Sequence, residues 1–216
     1  MTGLIWKDIL VMRKTLKTYV LFLGFYLLLA VLGMFDLSFV TAMVDVIVMM
    51  LPIGAFSYDE IAKWDRYAMT LPISRRTIVG ARYLFVLLMA LGAAAFGLLA
   101  CVLLSMAKGA NLTEYLATIL VSTGVALFIA DILLPLSYKL GPERARPYLY
   151  VVVFLPLVVL FGAYQFGLLD YVDLSWIDAL PNAGILGVFA TVPLVMLVGL
   201  GASFLISCRI MEKKEF

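Results

Sequence analysis

Histidine is absent from this chain, and its 216 residues include only two cysteines. Without histidine there is no His-Glu-x-x-His zinc site, no Ser-His-Asp triad and no imidazole proton relay. Cys101 and Cys208 lie far apart in apolar surroundings, so neither a metal site nor a disulfide is expected of them. No Gly-x-x-x-x-Gly-Lys-Ser/Thr loop occurs, so nothing in the chain cradles nucleotide phosphates. Charge is scarce as well: 14% of residues are Asp, Glu, Lys or Arg, against about a quarter in soluble domains. A membrane enzyme built on carboxylates alone is the one catalytic class left open. By itself the chain is expected to be no enzyme, with no metal and no nucleic acid among its partners.

What the sequence has instead is apolar surface. Hydrophobic residues make up 65% of it and the mean hydropathy is +1.11. A water-soluble core of this length cannot hide that much, so lipid must cover it. Crossing roughly 30 Å of hydrocarbon takes about 20 helical residues. Six runs qualify, at about 18–35, 38–56, 82–106, 113–135, 148–168 and 184–207. The alternation of barrel strands is missing, and unbroken runs such as VVVFLPLVVLFGAY read as helix, because lipid offers backbone groups no other partner. The expected fold is all-α, a single six-span transmembrane domain over residues 1–216, with no room for a separate soluble domain.

Charges sort by side. Every Lys and Arg except Lys108 falls on the side of the two termini and of the segments 57–76 and 136–147. Opposite lie Asp36, Glu114, Asp170, Asp173 and Asp178. The positive-inside bias therefore predicts both termini and both segments to be cytoplasmic. The first apolar run lacks a small-residue cleavage site and reads as a retained anchor. Before it, Ile5, Ile9, Met12 and Leu16 form one helical stripe with Lys7 and Lys14 opposite. That pattern predicts an interfacial elbow helix over 1–17, with Trp6 at headgroup depth and the lysines facing anionic lipid; its second half reads equally well as an extension of the first span.

Between the first two runs only Phe35–Ser38 remains, which predicts a tight hairpin. Ala93 and Gly97 make a small-xxx-small pair suited to close helix contact. Pro156 and Pro193 free a backbone carbonyl in the fifth and sixth spans and are expected to kink them. The stretch 167–184 is too polar to span, and predicts a short amphipathic helix or re-entrant hairpin anchored by Tyr171 and Trp176.

The most polar passage is SYDEIAKWDRYAMTLPISRR, residues 57–76. Ser57 followed by Glu60 has capping-box spacing, and Asp59 precedes Lys63 by four residues, an order that supports a helix. Leu71-Pro72 predicts a stop, and Ser74 a cap for a helix starting at Arg75 that runs into the third span. A helix resting on lipid should carry mainly basic residues on its polar face. Here acids and bases mix, with Trp64 and Tyr67 between them, as suits a protein docking surface.

Phe56-Ser57-Tyr58-Asp59-Glu60, Lys63-Trp64-Asp65-Arg66-Tyr67 and Leu71-Pro72-Ile73-Ser74-Arg75 together resemble the cytoplasmic loop of small ABC-2 type permeases. The subgroup of staphylococcal phenol-soluble modulin exporter permeases is the nearest likeness, in layout along the whole chain and in motif over roughly residues 56–82. The resemblance implies the permease subunit of an ATP-driven exporter in a bacterial plasma membrane. It implies a coupling helix seated in a separately encoded ATPase subunit through Asp59, Glu60, Lys63, Trp64, Asp65, Arg66 and Tyr67. Glu143 and Arg144 of KLGPERARP match in position only and are secondary contacts. Two ATPase copies would bind the ATP and Mg, and a second permease copy or close relative would complete the pathway. The implied cargo is an amphipathic, cytolytic or antimicrobial peptide. Antibiotic or lipid transport is the alternative within transport, and a scaffold or sensor without transport is the alternative outside it.

Two acids fall inside spans, Asp45 and Asp131. A charge at mid-bilayer costs about 2.5–3.5 kcal/mol on insertion scales, so each is expected to face protein or a wet cavity. Either they line the cargo path and meet cationic groups, or they are neutral or hydrogen-bonded to Ser, Thr or Tyr on a neighbouring helix. Proximity to the interface favours the structural reading for Asp131; for Asp45 the two readings stand level.

Overall fold

A computed structural model describes residues 2–68, 70–108, 112–167 and 181–214. The described residues form eight helices. A short α1 (Thr2–Val11) turns at Met12 into α2 (Arg13–Val31). There follow α3 (Leu37–Ile61), the five-residue α4 (Trp64–Ala68), α5 (Arg75–Lys108), α6 (Leu112–Leu140), α7 (Pro142–Gln165) and α8 (Asn182–Lys213). Six of them, α2, α3, α5, α6, α7 and α8, are long and apolar enough to cross a membrane. The outer connection expected around Tyr171 and Trp176 lies outside the described residues.

The helices outrun the apolar stretches that announce them. At 1.5 Å per residue the 34 residues of α5 measure roughly 50 Å, against about 30 Å of hydrocarbon. The excess falls to the charged end of α5, where Arg75, Arg76 and Arg82 occupy the first two turns. Pro156 and Pro193 sit inside continuous helices, as do Pro52, Pro135 and Pro147.

The central helix is α6, packed against α3, α5, α7 and α8. Its contact with α8 is close because two glycines permit it. A Cβ on Gly124 would stand 2.5 Å from Val192 Cγ1, and one on Gly199 would stand 2.6 Å from Asp131 Oδ2. The expected small pair behaves similarly: Gly97 meets Ile119 of α6, whose side chain lies 3.5 Å from where a Cβ would project. The α2–α3 hairpin turns through Gly33 at φ +87° and is fastened by Phe35 stacked on Phe39 at 4.2 Å.

One core cluster, including Met12, Phe56, Val79, Phe85, Leu134 and Met211, fills the end of the bundle that carries both termini, here called the basic end. A second, including Leu37, Val40, Cys101 and Leu104, fills the opposite end. Both cysteines are free and buried. By contrast α7 leaves most apolar side chains from Tyr150 to Tyr164 exposed, the surface that lipid or a partner must cover.

Two expectations about the amino-terminal segment are corrected. Residues 1–17 do not form one elbow helix: α1 stops at Val11, and the second half is the extension of the first span that the sequence equally allowed, with Met12 between them burying its side chain against Gly54. Lys14 is exposed, but Lys7 turns away from the lipid side toward buried carboxylates.

Candidate functional site

Local sequence places the polar segment differently from its apparent capping box. Ser57 lies inside α3, which continues unbroken to Ile61, so it caps nothing; its hydroxyl accepts a long bond from Arg146 Nη2 at 3.4 Å. The break comes at Lys63, which takes φ +50°, a left-handed conformation uncommon outside glycine and asparagine. Only then does α4 begin. The expected Asp59–Lys63 pair is therefore not made, and Asp59 finds partners far away in sequence.

Those partners form a buried knot of two acids and two bases. Arg82, its side chain 6% exposed, pairs with Asp59 and with Asp8 at 3.2 Å. Lys7 Nζ sits 2.7 Å from Asp59 and 3.0 Å from Asp8. Aromatic faces cover the cations: Arg82 lies 4.8 Å from the Phe56 ring centroid and Lys7 4.3 Å from that of Trp64. The knot fastens α1, the end of α3, α4 and the start of α5 to one another.

Beside it opens a cleft of about 350 Å³. One wall is the last turn of α3 with α4, contributing Asp59, Glu60, Lys63, Asp65 and Arg66. The other is the α6–α7 junction, with Ser137, Tyr138, Gly141 and Pro142, and Lys214 closes one side through an ion pair with Asp65 at 3.3 Å. Five of the seven expected coupling residues thus share one concavity. Trp64 and Tyr67 do not line it; they pack on each other at 5.5 Å. Glu143 and Arg144 are exposed on the first turn of α7, next to Pro142, where Glu143 pairs with Arg146 at 3.3 Å. Next in sequence to the lining residues, Ile61 is 81% exposed and Tyr67 58% exposed.

The expected helix start at Ser74 is present: its hydroxyl accepts from the Thr77 amide at 3.2 Å. Arg75 and Arg76 follow, on the unfavourable positive end of their own helix dipole. They serve the opposite pole of α8. Arg75 donates to the carbonyls of Met211, Glu212 and Lys214 at 2.8–3.2 Å, and Arg76 pairs with Glu212 at 2.8 Å. Sequence reasoning passed over Lys7, Asp8, Arg82, Arg146 and Lys214 as site residues. A signal existed for Arg82, a charged residue opening an apolar run with no acid three or four places away.

The two intramembrane acids separate. Asp45 accepts a hydrogen bond from Ser122 of α6 at 2.8 Å and borders an open pocket. Asp131 is pressed into the α6–α8 contact against Gly199, and its backbone carbonyl accepts from Ser203 at 2.6 Å.

Among the described residues, an all-helical fold with six membrane-length helices and two segments converging at its basic end is that of a multi-pass membrane protein. The match to the family model for ABC-2 family transporter proteins extends over residues 3–212, and the chain belongs to that family. Comparisons with curated proteins and with solved structures returned no match.

Proposed function

We propose that this chain is the permease subunit of an ATP-driven exporter, and that the cleft at its basic end receives a separately encoded ATPase. Family membership supports the permease role and an ABC ATPase partner. The observation that carries the site is convergence: the segments after α3 and after α6, distant in sequence, open on one concavity of mixed charge, and Ile61 and Tyr67, next in sequence to its lining residues, are exposed. Burying such apolar and aromatic groups is what a protein partner offers and water does not.

In this reading both termini and the cleft are cytoplasmic. The ATPase subunits, two copies, hold ATP and Mg, and two permease chains pair to form the pathway. Closure of the ATPases pushes on α4. Because the buried knot joins α4 and the end of α3 to α1 and α5, the push becomes a tilt of membrane helices. Amphipathic peptides are the proposed cargo, on the likeness of residues 56–82 to exporters of such peptides.

Co-purification with a co-expressed ABC ATPase subunit tests the docking. Ile61→Glu with Arg66→Glu changes two exposed side chains and should abolish co-purification while leaving the permease folded. Undiminished co-purification would sink the assignment of the cleft.

A further inference from the structure

Asp45 lies eight residues into α3 and Ser122 ten residues into α6, each about 12–15 Å from the end of its helix remote from the termini. Both therefore sit near mid-membrane depth, where a carboxylate with only a hydroxyl for company is costly. Among the described residues no ion pair reaches Asp45, and Ser122 is its one hydrogen-bond donor. On its open side is a pocket of about 380 Å³.

Four hydroxyls line that pocket: the exposed Ser38 keeps a proton to give, and the other three do not. A hydroxyl has one proton to give and two lone pairs to receive with. Thr41 donates to the Ser38 carbonyl at 3.0 Å, Thr118 to the Glu114 carbonyl at 2.9 Å, and Ser122 to Asp45 itself. With these protons committed inside the bundle, the three oxygens and the carboxylate offer only acceptors. Phe189 of α8 adds an aromatic ring to the wall, and Ala42 and Val121 add apolar ones. Three acceptor hydroxyls, a carboxyl group and an aromatic face, with Ser38 as the one hydroxyl left to donate, suit a ligand that is a cation, carries N–H donors and has an apolar body.

We propose that this pocket binds the alkylammonium group of a cationic amphiphile, with Asp45 as counter-charge and Thr41, Thr118 and Ser122 as acceptors for its N–H groups. That the ammonium belongs to the cargo rests on the export reading above; the pocket's chemistry does not. Asp131 has no part in it, since Gly199 closes over its carboxylate.

The test is fluorescence binding of dansylcadaverine, which carries a free alkylammonium, to the full chain in lipid nanodiscs. Dansyl amide, the same fluorophore without the ammonium, is the control. Saturable binding of the first and not the second is expected. Asp45→Asn keeps an oxygen for Ser122 but removes the charge, and should weaken binding about tenfold or more. Asp45→Glu should retain most of it, and Ala42→Trp should block the pocket sterically with the carboxylate intact. No saturable binding, or equal binding to Asp45→Asn and Ala42→Trp, would overturn the proposal. So would displacement by sodium chloride but not by tetramethylammonium chloride at equal ionic strength, which would make this an ion site. ATPase co-purification with the Asp45→Asn chain is read separately, so failure here leaves the docking assignment standing, and the reverse.

Discussion

Arg82 shows what a single side chain does for this molecule. It emerges from α5 between Asp8 and Asp59, both nearly buried, with Lys7 as the only other cation in the knot. Removing one partner of a buried ion pair costs about 3–5 kcal/mol, because the remaining charge stays uncompensated. Arg82→Leu should therefore lower the thermal stability of the detergent-solubilised protein markedly. Arg82→Lys, which keeps charge but loses the two-pronged fork, should fall between. An unchanged melting temperature for Arg82→Leu would show the knot to be idle. This arrangement was illegible from local spacing, which pairs Asp59 with Lys63. The actual partners stand 52 and 23 residues away, and burial makes them matter more than the near neighbour. The hydroxyl partner of Asp45 was legible as a type, but no sequence pattern could choose Ser122 over its neighbours.

Helices were far easier to read than their ends. Hydropathy located all six membrane-length helices, since runs of about 20 apolar residues have few other uses. It misplaced boundaries because backbone hydrogen bonding does not stop where lipid stops: α3 carries on through Ser57 to Ile61, and α5 begins seven residues before its apolar run. Ser74 was readable because a cap acts on its own next turn, whereas the break at Lys63 carries no glycine to announce it. Packing between helices gives a sharper prediction. Gly124→Ala must displace Val192 or part α6 from α8, and overpacking of this kind costs about 1–3 kcal/mol. Gly92→Ala, with nothing within 4 Å, should be near neutral or slightly stabilising. Thermal unfolding of the two variants side by side checks the contrast, and equal melting points would argue against the tight α6–α8 contact.

At the scale of the whole molecule, the basic end carries the buried knot of charges, and α7 leaves most of its apolar surface to be covered from outside. The expected orientation is directly measurable because both native cysteines are buried and should react slowly. Lys213→Cys, near the end of α8, should be labelled by a membrane-impermeant maleimide only after the cells are permeabilised. Labelling of intact cells would invert the topology. The buried knot also has a history built into the order of its parts. Asp8 and Asp59 leave the ribosome before Arg82, and until it follows they share the single charge of Lys7. Neutrality is reached only when the third membrane helix enters, so the arrival of α5 sets the moment at which α1 and the end of α3 can be locked together. Synthesis stalled or truncated before that point would leave two carboxylates without their main partner, a state that membrane quality control could distinguish from the finished fold.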